Sequence, residues 1–240
     1  MNESILLSAA AGSIAFVHTL AGPDHYVPFV AMARARKWSV RRTLVVTTAC
    51  GVGHVLGSIA IGTIGLAAGA ALGQLEWIES WRGGLAGWAL IAFGLVYLVV
   101  GVKRGMRKTP HAHLHVHADG TVHCHEHTHD PEHLHLHSDE TTSRKGLIAS
   151  ALFVIFVLGP CEPLIPLLIV PGLEQSLPAS LAICGAYLVT TVATMVICVA
   201  ALGAMTASAG HRVGQSFAPL SHAWGGLAIL SCGILMKLGL

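Results

Sequence analysis

Residues 15–33 read AFVHTLAGPDHYVPFVAMA, and the way a chain can carry this stretch decides its fold. Apolar residues continue on both sides of Gly22-Pro23-Asp24-His25 for the length of a membrane crossing, about 20 residues. Pro23 has no N–H and its ring clashes with the preceding turn, while Gly22 relaxes the backbone beside it, so a helix entering here has to break. A break of this kind frees carbonyls, which a membrane protein tolerates only in its interior or along a cavity. His18 and His25 are seven residues apart, nearly two helical turns, so an intact helix would keep them on one face, with Asp24 beside them. A charged Asp at mid-membrane costs about 2.5–3.5 kcal/mol on insertion scales, so it needs a partner or a function.

The rest of the chain agrees with a membrane setting. Of 240 residues, 53% are hydrophobic and 11% charged, whereas a soluble domain carries about 25% charged residues to build its polar shell. Long Ala/Leu/Gly-rich runs without the alternation of a barrel strand have to cross as helices. Six runs qualify, at about 5–33 (interrupted), 43–72, 85–102, 147–171 (interrupted), 180–207 and 222–240. The opening MNESILLS has no Lys or Arg, so the first run reads as a retained span and not a cleaved signal. Residues 73–84, GQLEWIESWRGG, place Trp77 and Trp81 one turn apart, which suits an interfacial helix. The net charge of +2 gives no reason to expect nucleic acid, and no Walker motif is present, so ATP use by this chain is not expected; the chain reads as a transporter and not an enzyme.

Twelve of the fourteen basic residues fall in loops of one side: Arg34, Arg36, Lys37, Arg41 and Arg42; Lys103, Arg104, Arg107, Lys108, Arg144 and Lys145; and Arg212. Only Arg82 and Lys237 fall on the other. By the positive-inside rule the first set is cytoplasmic and both termini lie outside, in what would be a bacterial inner membrane.

The two halves resemble each other. Gly22-Pro23-Asp24-His25 aligns with Gly159-Pro160-Cys161-Glu162 at an offset of 137 residues, and the same offset sets Trp38-Ser39 on Gln175-Ser176 and Thr43 on Ser180. Three helices per half reverse the direction of the second copy. The expectation is therefore an all-α integral membrane protein of about six transmembrane helices, in two inverted three-helix repeats with broken first and fourth helices. The units run 1–108 and 146–240, joined by a segment 109–145.

The second span adds His54, in GVGHVLGS, and the fourth adds Cys161 and Glu162, in LGPCEPLIP, where Pro160, Pro163 and Pro166 break the helix in turn. Asp24 and Glu162 lie well inside apolar runs, one position apart in the repeat alignment. Imidazole and carboxylate together suit a divalent first-row ion, and a thiolate adds softness. His18, Asp24, His25, His54, Cys161 and Glu162 are thus the candidate metal ligands; His222 begins the last span, near an interface. The six cysteines (50, 124, 161, 184, 198 and 232) show no disulfide spacing, and most read as packing residues.

The joining segment holds eleven of the sixteen histidines within residues 111–137, HAHLHVHADGTVHCHEHTHDPEHLHLH. A His-x-His alternation builds no packed core and reads as a flexible, cytoplasmic tract that captures several ions weakly. Its candidate ligands are His111, His113, His115, His117, His123, Cys124, His125, His127, His129, His133, His135 and His137.

The run His18-Thr-Leu-Ala-Gly-Pro-Asp24-His25, followed by Gly53-His54, resembles the NicO-type nickel/cobalt transporter family and its UreH-like relatives in the LysE superfamily. The likeness covers most of the chain and extends to six spans with a His-rich central loop. It implies a role for His18, Asp24 and His25 in selecting a metal. The nickel/cobalt permeases have one residue fewer than this chain between the first His and the Asp-His pair, so nickel specificity does not carry over directly. GPCEPLIP at 159–166 is also similar to the Pro-Cys element of the CcdA/DsbD-type membrane thiol–disulfide carriers, which use one reactive Cys per repeat. Here the mate of Cys161 is Asp24, and the nearest upstream intramembrane cysteine is Cys50.

The function expected is secondary transport of a divalent transition metal as substrate, nickel or cobalt first, then zinc, manganese or iron. Efflux with proton coupling is the leading form. A thiol–disulfide carrier, or a membrane accessory protein serving urease or hydrogenase maturation with a cytoplasmic metallochaperone as partner, stands as the alternative.

Overall fold

The helix that enters at Glu3 ends at Ala21, where the Gly22 N–H makes the last helical hydrogen bond, 3.0 Å to the His18 carbonyl. In the computed structural model, which describes residues 3–69, 71–107, 111–116, 122–127, 139–161, 163–173, 176–213 and 221–239, this is α1 (Glu3–Ala21). A 3-10 turn, Pro23–His25, follows, and then α2 (Val27–Arg36). Prolines open both new segments, Pro23 in the turn and Pro28 in the first turn of α2, where the absent N–H has no helical partner to lose. Lys37 ends α2 in the left-handed conformation, with φ 51°. Ser39 starts the next helix by accepting a hydrogen bond from the Arg42 N–H at 3.3 Å.

Two long helices complete the first half, α3 (Val40–Ala67) and α4 (Leu72–Arg107). The second half repeats the break: α5 (Asp139–Leu158) stops before Gly159-Pro160-Cys161, and α6 (Leu164–Leu173) resumes with Pro166 in its first turn. Then come α7 (Leu177–Val213) and α8 (Ser221–Lys237). Among the described residues, four helices are long and apolar enough to cross a bilayer: Ser4–Ala21, Val40–Ala67, Leu72–Met106 and Leu177–Ala207. The fourth and sixth expected spans are shorter as formed. Proline divides α5 from α6, leaving an apolar Leu147–Leu158, and α8 is 17 residues long. The outward faces are apolar, with Val17, Val45, Ile64, Val189, Ile197 and Met205 all exposed, as a lipid-facing surface requires.

Residues 73–84 are not a separate interfacial helix. They form the first three turns of α4, with no proline or cap to stop them, and Trp77 and Trp81 (68% and 61% exposed) stand on the outer face while Leu75, Glu79 and Arg82 turn inward. Arg82 therefore belongs to the interior and drops out of the loop-charge balance.

Helices α4 and α8 run antiparallel in backbone contact. A Cβ on Gly226 would sit 2.6 Å from the Leu98 Cα, and one on Gly94 would sit 3.0 Å from the Gly226 carbonyl and within clash of the Leu230 backbone. Only glycine permits this approach, which gives the pair its dispersion contact where lipid offers no hydrophobic drive. The remaining packing agrees with the reading of cysteines as core residues: Cys50, Cys161 and Cys232 are buried in three separate apolar clusters. Cys50, Cys161, Cys184, Cys198 and Cys232 are all free thiols.

Part of the His-rich segment takes up regular structure: β1 (His111–Val116) and β2 (Val122–His127) pair antiparallel. Their register sets His111 opposite His127, His113 opposite His125 and His115 opposite His123. Alternation along each strand thereby puts these six positions on one face of the hairpin.

Candidate metal centre

Both helix breaks meet at one place. His18 sits in the last turn of α1, and its backbone carbonyl takes the final helical bond before the Gly22-Pro23 bend. The bend returns the chain so that the His25 ring lies edge-on to the His18 ring with centroids 5.0 Å apart. The proximity expected from an intact helix is thus kept across a broken one. Gly22 makes room for it: a Cβ there would fall 2.6 Å from His25 Nδ1 and 2.8 Å from Asp24 Oδ1.

His54 comes from the middle of α3, and its ring stands 5.3 Å from that of His25, again edge-on. Cys161 comes from the second break, its Sγ 3.1 Å from His54 Nε2 and 3.9 Å from the Tyr187 hydroxyl on α7. One donor atom each from His18, His54 and Cys161 fall within 4.8 Å of one another. His25, His54 and Cys161 are buried to 3%, 3% and 0% exposure.

The hydrogen bonds fix how these rings present themselves. His54 Nδ1 lies 3.1 Å from the Phe156 carbonyl, near the end of α5. A carbonyl only accepts, so Nδ1 carries the proton and donates, leaving the lone pair on Nε2 facing Cys161. His25 does the same: Nδ1 donates to the Gly22 carbonyl at 3.2 Å, with Asp24 Oδ1 at 3.4 Å. A ring nitrogen held by a carbonyl or carboxylate while its fellow points inward is the arrangement that orients histidine ligands. The Nε2 atoms of His18 and His25 are buried and have no hydrogen-bond partner among the described residues. Buried polar atoms are nearly always satisfied, so two such nitrogens on rings 5.0 Å apart fit a site that a bound cation would complete.

Asp24, Cys161's mate in the repeat alignment, keeps access to a cavity also lined by His25, His54, Phe156, Pro160 and Met236. Its side chain is 22% exposed. Of the expected ligands, His18, Asp24, His25, His54 and Cys161 are therefore brought together. Glu162 lies outside the described residues, as do His117, His129, His133, His135 and His137 of the central segment. His222 is elsewhere: its Nδ1 is 3.1 Å from the Tyr97 hydroxyl at the start of α8.

A second buried polar group escaped the sequence reading. Glu79 (0% exposed) and Arg82 (8%) form an ion pair one turn apart on α4, joined by Ser58 of α3. Glu79 and Arg82 looked like surface charges because they alternate with Trp77 and Trp81. The available signal was that the two tryptophans and the two charges lie on opposite faces of one helix, with the second face turned toward Gly57-Ser58. Tyr187, against the Cys161 thiol, was missed too; an aromatic in an apolar run carries no signal of its own.

Comparisons of the chain with protein-family models, with curated proteins and with solved structures find no match.

Proposed function

We propose that the protein is a secondary transporter of a divalent transition-metal ion, with nickel and cobalt the first candidates and zinc, manganese and iron next. The observation that carries this reading is the convergence of His18, His25, His54 and Cys161 at two helix breaks, with two imidazole nitrogens buried and unpartnered. Imidazole and thiol donors suit borderline ions such as nickel, cobalt and zinc better than manganese. Asp24 beside the cluster supplies negative charge to offset the cation. The resemblance of the His18–His25 run to nickel/cobalt transporters points the same way.

Six spans arranged as two inverted repeats belong to this reading. At the offset of 137, helix ends coincide one for one: Ala21 with Leu158, Val27 with Leu164, Arg36 with Leu173 and Val40 with Leu177. Packing follows the same exchange. Helix α1 lies on α7 as α5 lies on α3, α2 on α8 as α6 on α4, and α3–α7 and α4–α8 map onto themselves. Such symmetry supports alternating access by rocking one unit against the other around a site between the broken helices. The His-rich segment, on the cytoplasmic side by the distribution of Lys and Arg, would hand captured ions to that site, which favours export.

The thiol-carrier alternative finds less support. Cys161 and Cys50 belong to different core clusters, and the thiol of Cys161 faces an imidazole and a phenol. Flux of nickel, cobalt, zinc and manganese into proteoliposomes decides the matter, with His18→Ala and His25→Ala in parallel. Flux that the two variants abolish supports transport; binding without flux would leave an accessory protein, and function abolished by Cys161→Ser together with a disulfide formed by Cys161 would mean a thiol carrier.

A further inference from the structure

In a continuous helix the Cys161 N–H would bond the Val157 carbonyl four residues back. The second break parts these two groups, and the buried cluster on α3 and α4 stands between them. Arg82 Nη2 donates to the Val157 carbonyl at 2.8 Å and to the Gly159 carbonyl at 3.3 Å. The Cys161 N–H donates to Glu79 Oε2 at 3.0 Å and to Ser58 Oγ at 3.2 Å. Ser58 in turn donates to Glu79 at 3.0 Å and accepts from Arg82 at 3.2 Å. The Gly159 carbonyl needs this help in any case, because the residue four ahead is Pro163, which has no N–H.

Space for the cluster is provided by two glycines. A Cβ on Gly57 would lie 3.0 Å from both Arg82 Nη2 and the Val157 carbonyl, and one on Gly83 would lie 2.7 Å from Pro160 Cγ. Among the described residues no such device serves the first break, where the Leu20 carbonyl is met at 3.3 Å by the Tyr26 hydroxyl of the same segment.

We propose that Glu79, Arg82 and Ser58 are positioning residues for Cys161, holding the second break at one geometry so that its thiol stays at ligand distance from His54 and the site favours thiophilic divalent ions. The inference rests on the metal-transport reading. A guanidinium suits the task because its planar fork serves two carbonyls and a carboxylate together, which an ammonium cannot. Breaking one partner of a buried pair is also the change that such a cluster tolerates least.

Cobalt(II) titrated into the full-length protein in detergent separates the possibilities, since a thiolate ligand adds a charge-transfer absorption that nitrogen and oxygen ligands lack. The wild type should show that band and Cys161→Ser should lose it. Arg82→Lys and Ser58→Ala should weaken the band and lower the affinity for cadmium roughly tenfold, the size expected when a ligand's outer support is removed, with little change for manganese. A variant that merely loosens the fold would lose both ions together. Ser58→Ala removes a single hydroxyl and tests the idea even if Arg82→Lys does not fold. Variants that keep the band and the cadmium-to-manganese ratio overturn the positioning role while leaving the metal site standing; a wild type that binds cobalt without the band removes Cys161 from the site and overturns this inference alone, and a wild type that binds no cobalt overturns the metal reading as well.

Discussion

His54 Nε2 and Cys161 Sγ stand 3.1 Å apart, one carried by an unbroken helix and the other by a helix break. The proton that His54 gives to the Phe156 carbonyl through Nδ1 leaves Nε2 only its lone pair to offer. Two donors at that spacing, one of them sulfur, could hold a metal ion, and on the proposed reading the site would discriminate among divalent ions by softness. Cys161→Ser keeps the size and replaces the soft donor by a hard one. Affinity for zinc and cadmium should fall roughly 10–100-fold, the cost typical of a disturbed metal shell, while manganese changes little. Isothermal titration with the three ions measures this, and an equal loss for all three would count against sulfur ligation.

The two unpartnered imidazole nitrogens make a further claim on the same site. His18→Ala and His25→Ala each remove one of them. Among the described residues neither loses a side-chain hydrogen bond to a distant element, since His25 bonds its own turn. Both variants should therefore fold and reach the membrane in normal amount, yet carry no metal in a proteoliposome assay. Wild-type flux from either variant would take that histidine out of the pathway.

Much of this arrangement was legible from sequence because its causes are local. Gly22-Pro23 and Gly159-Pro160 break their helices wherever they stand, and the offset of 137 that aligns them also predicts the helix ends around them. The shared face of His18 and His25 follows from spacing, and their 5.0 Å approach from the bend at Gly22-Pro23. The proximity of His54 and Cys161 depends on how α3 packs on α5 and α6, and spacing alone gave no distance. Glu79 and Arg82 were misplaced for a related reason. Their neighbours Trp77 and Trp81 read as a bilayer boundary, whereas Arg82 donates to carbonyls 75 and 77 residues further on and Glu79 accepts from the Cys161 N–H. A buried ion pair that serves a distant backbone leaves little trace in the residues beside it.

The α4–α8 contact gives a prediction about stability that is independent of metal. Gly226→Ala would drive a methyl group to 2.6 Å from the Leu98 Cα, and backbone atoms on both sides leave nowhere to move. Overpacking of this kind costs about 1–3 kcal/mol. Gly203, inside α7, has nothing within 4 Å of its would-be Cβ. Gly203→Ala should be neutral or stabilising by up to about 1 kcal/mol, from helix propensity alone. Thermal unfolding in one detergent compares the two; equal midpoints would show that glycine is not required where α4 and α8 meet.

On the proposed transport reading, Asp24 is the group in this cluster that would couple metal movement to protons. It sits beside His25 and faces the cavity, whereas His25 and His54 are more deeply buried. Two species can neutralise its carboxylate, a bound cation through its positive charge or a proton by direct attachment, and they exclude each other because each removes the charge that attracts the other. That exclusion is what an antiporter needs: binding a proton from one side releases the metal, and losing it to the other side restores the site. Asp24→Asn keeps the shape and abolishes the titration. The variant should still pass metal down its own gradient, more weakly for want of the negative charge, and an imposed pH gradient should no longer drive accumulation. Measuring both modes in the same vesicles isolates the coupling step. Full pH-driven flux in Asp24→Asn would move the coupling to another residue, with Glu162, its neighbour in the repeat alignment, the next to replace.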